Sequence, residues 1–165
     1  GQHKVPCDPP DSGMPLAGEL RQLVSTPVSL KFETDVGDLR ILLDPRLAPV
    51  AVTRTVQLAE AHYYDKMIVH RVVAGFVSQF GSPTADGYGG APGKPSIACE
   101  TSPISFAPFT VGVALAGRDT GSSQLFVTHS SYPHLDGRYA QIGSASGAWD
   151  ALFDGDVIQK VVVER

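Results

Sequence analysis

An arginine set inside an apolar strand pattern is the residue of this sequence best placed to do chemistry. Residues 69–81 read Val-His-Arg-Val-Val-Ala-Gly-Phe-Val-Ser-Gln-Phe-Gly. A strand alternates its faces, so Val69, Arg71 and Val73 are expected on the same one. A guanidinium among apolar neighbours is costly unless it is paired or has a task. Residues 122–128, Ser-Ser-Gln-Leu-Phe-Val-Thr, repeat the strand pattern with Gln124 beside Phe126. Arg71, Gln79 and Gln124, set on strands with Phe76 and Phe126, make a polar spot beside an apolar pocket. Such a site can hold a nonpolar ring and polarise one atom next to it. On composition alone Arg71 would be a surface arginine with its head in water, and the phenylalanines would be plain core.

The elements that must position these side chains are mostly strands. Val28, Leu30 and Phe32 alternate with Ser29, Lys31 and Glu33, Asp35–Asp38 supplies a turn, and Leu39–Leu43 returns. Asp44-Pro45 breaks that strand, and Pro49 stands where a helix can start without its N–H. Val52, Val56, Ala59 and Tyr63 then recur on one helical face. From Ile68 onward short strands alternate with glycine- and proline-rich loops, the longest over 81–95. A short helix over Ala148–Phe153 and a strand near Val157–Val163 close the chain. Residues 1–26 read as a proline-rich arm or linker carrying Pro6, Pro9, Pro10 and Pro15, with a short helix over 16–25, and 27–165 as the domain. Many short strands with one or two helices point to a barrel.

Length and charge narrow the function classes. At 165 residues the chain is most simply one domain with a real core. A formal net charge of −4 offers no footprint for nucleic acid. Apolar runs such as Val111–Ala116 are too short to span a bilayer. The glycines at 87–93 do not form a phosphate loop, and no Gly-x-Ser-x-Gly elbow is present. The histidines at 3, 62, 70, 129 and 134 lack metal-site spacing; His70 would point to the face opposite Arg71, as a satisfied structural histidine.

Three motifs in order carry a resemblance. His70-Arg71-Val72, Gly75-Phe76, Gln79 and Gly81 match one pattern of the cyclophilin family of peptidyl-prolyl isomerases. Gly121, Ser123, Gln124, Phe126 and Val127 match a second, with Ser122 extra or shifted. Leu135-Asp136-Gly137-Arg138 followed by Ile142-Gly143 is similar to a third, so the resemblance runs from about Val28 to Val163. It implies a mainly β fold, a closed eight-stranded antiparallel β-barrel capped by two α-helices. It also implies isomerisation of Xaa-Pro bonds in peptides and unfolded protein segments, by a monomer, with no cofactor, no metal, no nucleic acid and no membrane.

On that resemblance Arg71 is the catalytic donor and Gln79 holds it. Phe76, Val77, Phe126 and Leu135 grip the proline ring, and Gln124 with Ala114, Leu115 and Ala116 holds the peptide before it. His134 and Tyr139 complete the substrate-binding set. Four positions depart from the family. Leu115 stands for an asparagine, His134 for a tryptophan, Tyr139 for a histidine, and Phe80 for a glycine whose loss would reshape the local turn. Altered peptide preference and weaker binding of cyclosporin-type inhibitors are the expected results. The competing function is a proline-peptide binding module or chaperone domain with little turnover, which the departures favour and the intact Arg71 opposes. Cys7 and Cys99 are either one disulfide, stapling the arm in an extracytoplasmic, oxidising compartment, or two unrelated thiols; the staple is preferred.

Overall fold

The computed structural model describes residues 18–20, 22–115 and 121–165. Nine strands form one antiparallel sheet: β1 (Val28–Thr34), β2 (Gly37–Leu43), β3 (Met67–Ile68), β4 (Arg71–Val73), β5 (Val77–Phe80), β6 (Thr110–Val113), β7 (Leu125–Thr128), β8 (Gln141–Ser146) and β9 (Val157–Glu164). Their order in space is β3-β9-β1-β2-β8-β6-β7-β5-β4. The two outermost strands are thus neighbours in sequence. Val69 N–H donates to Asp156 O on the β9 side and His70 N–H to Gln79 O in β5, so two residues carry the chain from one edge of the sheet to the other. That passage curls the sheet into a barrel. It also reconciles nine strands with an expected eight, because β3 and β4 are one run interrupted at Val69-His70.

The period-2 pattern of the first strands is realised directly. Val28, Leu30 and Phe32 pair with Leu43, Ile41 and Leu39 across β1 and β2, all turned inward and buried. The hairpin turns at Asp35-Val36, with Gly37 at φ 103°, a left-handed conformation that glycine adopts without strain. Inside the barrel Phe32, Tyr64, Phe80 and Trp149 pack edge-on or stacked with centroids 5.2 to 5.9 Å apart. Phe80 is therefore a core residue. The turn that its departure from the family was expected to reshape falls instead at Gly81, φ 100°.

Among the described residues one α-helix is present, α1 (Pro49–Glu60), where two were expected. Pro49 opens it, and no side chain at Ala48 caps it. The Glu100 carboxylate accepts from Val50 N–H and Ala51 N–H at 2.9 and 2.8 Å, so a distant acidic group satisfies the free donors. The helix expected over Ala148–Phe153 is a single 3₁₀ turn, Trp149–Ala151. The Trp149 indole N–H, held between Arg40 O and Ser146 O, fixes that turn, and Leu152 is already extended. The described part of the helix expected over 16–25 is a 3₁₀ turn, Gly18–Leu20. Val24 N–H, which a continuing helix would need, donates to Thr53 Oγ1 on α1, and Leu20 is buried in the core. Cys99 is disulfide-bonded; Cys7, the other cysteine of the chain, lies outside the described residues.

Candidate active site

The neighbouring strands β4, β5, β7 and β6 have a second, outer face, and alternation decides what each contributes to it. On β5, Ser78 and Phe80 turn inward, which leaves Val77 and Gln79 outward. On β7 and the residue before it, Leu125 and Val127 belong to the barrel core while Gln124 and Phe126 face out. Register then assembles the site. Arg71 pairs with Gln79, and Gln79 with Phe126. Gly112 of β6 pairs with Phe126.

The outer face carries its own apolar cluster, Val77, Phe106, Phe126 and Leu135, with Val73, Phe76, Ala114, Tyr132 and Tyr139 packed on it. Within it a pocket of about 220 Å³ is bounded by Arg71, Phe76, Val77, Gln79, Ala114, Leu115, Phe126, Leu135 and Tyr139. Nine of the residues expected at the site thus meet at one opening. A second pocket, of about 230 Å³, shares Gln79, Ala114 and Leu115 and adds Gly87, Tyr88, Gly89, Ser122 and Gln124. His134 lines neither; it stands exposed at the rim, its ring 6.3 Å from Phe76 and 5.4 Å from Tyr132. Ala116 lies outside the described residues.

The polar part is a chain of amides ending in a cation. Arg71 is exposed, with its guanidinium 5.9 Å from the Phe76 ring centre. Its NH1 donates to Gln79 Oε1 at 3.4 Å. Gln79 Nε2 donates to Gln124 Oε1 at 3.2 Å. Gln124 Nε2 gives its two protons to Gly87 O and Gly89 O, at 2.9 and 3.0 Å. Each amide is therefore fixed in one orientation, because a flip of Gln124 would turn its oxygen against two carbonyls. Among the described residues no other hydrogen bond engages the guanidinium, and Arg71 lines the pocket.

Several residues that shape this site carry no motif. A Cβ on Gly112 would collide with Cζ of the Phe126 ring, so only glycine there lets the ring lie across β6. Glycine inside a strand pattern is the signal for such a close approach. Phe106 stacks on Phe126 at 5.7 Å and is wholly buried. Its N–H donates to Asp136 Oδ1 at 2.7 Å, so the Leu-Asp-Gly turn holds the loop that backs the pocket. Tyr132 meets Phe76 edge-on at 4.7 Å and its hydroxyl donates to Gly75 O. Tyr139 stands edge-on to Phe126 at 5.5 Å, and burial raises its hydroxyl's pKa, so it remains a neutral wall.

His70 was expected to be a satisfied structural histidine, but among the described residues neither of its buried ring nitrogens has a hydrogen-bond partner. Burial, followed by the Arg71 charge, holds the imidazole below its usual pKa, while Asp86 and Asp154 pull it partly back. Gly87 is its neighbour across the loop: a Cβ added there would stand 3.8 Å from His70 Cδ2 and Nε2.

A sequence model described as cyclophilin-type peptidyl-prolyl cis-trans isomerase matches residues 29–163. A peptidyl-prolyl cis-trans isomerase of Helicobacter pylori is 39% identical over 138 residues, 79% of this chain and 83% of that protein. Peptidyl-prolyl cis-trans isomerase B of Bacillus subtilis is 38% identical over 135 residues, covering 79% and 93%. In structure, a cyclophilin-type isomerase of Cryptosporidium parvum superposes with a TM-score of 0.77 at 25% identity, over 84% of this chain and 98% of that one. The same protein, solved in the presence of the dipeptide Ala-Pro, gives 0.76 at 26% identity, over 83% and 99%.

Proposed function

The chain belongs to the cyclophilin family and is a peptidyl-prolyl cis-trans isomerase, and we propose that the Arg71 groove is its active site. The observation that carries this is the placement of a guanidinium at the mouth of a ring-sized apolar pocket. Rotation about an Xaa-Pro bond faces a barrier of roughly 18–20 kcal/mol because amide resonance stiffens the C–N bond. At the twisted transition state that resonance is lost and the proline nitrogen gains a lone pair. A donor aimed at that nitrogen stabilises the transition state and not the planar ground state. Arg71 is that donor, oriented by Gln79. Phe76, Val77, Phe126 and Leu135 hold the ring, with Tyr139 as a side wall. Ala114, Leu115 and Gln124 receive the backbone before the proline, where the second pocket continues the groove. No bond is made or broken, so no covalent intermediate is required.

The substrates under this reading are Xaa-Pro segments of peptides and unfolded chains, taken by a monomer. The Cryptosporidium relative crystallised with a proline dipeptide supports the ligand class. Arg71→Ala tests the assignment in a protease-coupled isomerisation assay. Loss of one such donor typically costs about 2.7–4 kcal/mol, that is, about 10²–10³ in kcat. The thermal midpoint should hardly move, because Arg71 is exposed. Near-normal turnover in the folded variant would overturn the assignment.

Binding of cyclosporin-type inhibitors is proposed to be weak, because His134 stands at the rim where the family resemblance expects tryptophan. An imidazole offers less apolar area and a donor of different reach. His134→Trp should tighten inhibition by at least the worth of one hydrogen bond, about 0.5–1.5 kcal/mol, with peptide turnover kept. An unchanged inhibition curve counts against His134 as a rim contact.

A further inference from the structure

Two hydroxyls reach the back of the site from the segment after α1, and the isomerase reading leaves them without a task. Tyr64 is wholly buried, and its hydroxyl donates to Ser123 O at 2.9 Å. Tyr63 is half-buried; its hydroxyl lies 2.9 Å from Ser123 Oγ and 3.1 Å from Gly81 O. Ser123 Oγ donates in turn to Gly81 O at 2.7 Å. Both tyrosines therefore close on one crossing of the chain, where Gly81 passes Ser123 so tightly that a Cβ on Gly81 would collide with the Ser123 carbonyl.

This crossing lies just past the end of a ladder. The last pair of β5 with β7 is Phe80 with Leu125. Gly81 is the next residue out on β5; on the β7 side Gln124 comes next and Ser123 one further, so Gln124 stands between Ser123 and the ladder. In front, Gln124 sets Gln79, and Gln79 sets Arg71 through a 3.4 Å contact. A small displacement of the Gln124 backbone is thus passed along two amides to the guanidinium.

We propose that Tyr63 and Tyr64 are positioning residues for Gln124: their hydroxyls pin the Gly81–Ser123 crossing from behind and thereby fix the Gln124–Gln79 pair beside Arg71. The inference rests on the reading of the Arg71 groove as the active site. A burial role alone would be served as well by phenylalanine, which keeps the edge-on packing of Tyr63 on Tyr64 and of Tyr64 on Phe80. Only the hydroxyls tie the rings to the crossing.

The test is a double-mutant cycle on kcat/KM in the protease-coupled assay, with Tyr63→Phe and Tyr64→Phe each made in the wild-type and Gln124→Ala backgrounds. Each hydroxyl loss should lower kcat/KM about two- to tenfold in the wild-type background, the range of one hydrogen bond. In the Gln124→Ala background, which has no amide left to position, the further loss should shrink to within about twofold. Thr55→Val is the control. It removes another buried hydroxyl, which donates to Ala51 O at 2.8 Å inside α1, and should leave kcat/KM unchanged while lowering the thermal midpoint. If Tyr64→Phe does not fold, the half-buried Tyr63→Phe carries the test. Full kcat/KM in a folded phenylalanine variant overturns the proposal, and so does a loss that persists undiminished without Gln124. Wild-type kcat/KM in Gln124→Ala itself would overturn both the proposal and the site reading beneath it, whereas an impaired Gln124→Ala with unimpaired tyrosine variants removes the proposal alone.

Discussion

The two faces of β5, β7 and β6 are built from alternate residues of the same strands and do opposite work. Inward, Phe80, Leu125, Val127, Val111 and Val113 meet the rest of the barrel and are closed from water. Outward, Val77, Phe126 and Gly112 carry an apolar cluster almost as buried, yet that cluster is interrupted by a pocket with Arg71 at its mouth. Every residue of β6 and β7 is buried. Burial therefore cannot tell structural from functional positions here. What differs is the company: the inner face is apolar but for Ser78, whose hydroxyl is bonded to Trp149 O and His129 Nε2, while the outer one mixes rings with a cation and two linked amides. A sheet buried on both faces can give one to stability and the other to chemistry, and a one-residue slip of register would exchange them.

The sharpest way to break the comparison is to cut one ring from each face. Phe80→Ala removes a wholly buried ring packed on Phe32, Tyr64 and Trp149, and should cost about 3–5 kcal/mol in denaturant unfolding. Turnover by the molecules that remain folded should change little. Phe126→Ala should show the reverse balance. The pocket already open beside that ring lets water take the space, so less stability is lost, while kcat/KM falls because the proline loses a wall. Equal stability costs at both sites would mean that the outer cluster is simply more core.

A smaller effect is expected from adding one carbon. Gly112→Ala drives a methyl group against the Phe126 ring, which should tilt away from β6, toward the pocket. Overpacking of this kind costs about 1–3 kcal/mol. Part of it should appear as a raised KM for proline peptides, since the displaced ring narrows the space for substrate. A variant with lowered stability and unchanged KM would show that the ring yields in the other direction.

How far the site can be read from the sequence follows from the same two faces. Arg71 and Gln79 are legible because each combines a strand period with a polar residue type that is awkward there, and motif order brings in Phe126 on β7, Phe76 in the turn before β5 and Gln124 just before β7. Gly112 carries only the local mark of a glycine inside a strand pattern, which does not say which ring it admits, and Phe106 and Tyr132 carry none, since their part depends on what lies at the end of a long loop. The Glu100 carboxylate on α1 escapes for the same reason: it caps from about fifty positions away, beyond any capping pattern written near Pro49. The expected helix over 148–153 failed because a tryptophan anchored by its indole outweighs short-range helical spacing. His70 was expected to be satisfied and has no hydrogen-bond partner among the described residues, because strand alternation gives direction and says nothing of partners.

That unsatisfied imidazole gives the smallest expected effect, a pH dependence. Burial and the adjacent Arg71 charge both disfavour the protonated form, so the folded pKa of His70 lies below its unfolded value near 6.5. The sign follows from linkage. The unfolded chain binds the proton more readily, so the stability contributed by neutral His70 is complete above about pH 6.5 and is lost as pH falls through the lower, folded value. His129 acts in the same direction, since burial depresses it while Asp150 partly restores it. The depressed carboxylates Asp44 and Asp86 titrate well below this window and do not blur it. His70→Phe replaces a titrating ring with one that needs no partner. The thermal midpoint of the wild type should therefore fall between pH 7 and pH 5.5, and that of His70→Phe should fall less, the remainder being the net of His129 and of Glu100, whose carboxyl burial pushes up and which acts with the opposite sign. Isomerase activity should follow the same ordering on acidification, because a proton on His70 places a second positive charge beside Arg71. Parallel midpoint curves for the two proteins would show that His70 keeps the same pKa folded and unfolded, and that loss of activity in acid, if seen, begins elsewhere.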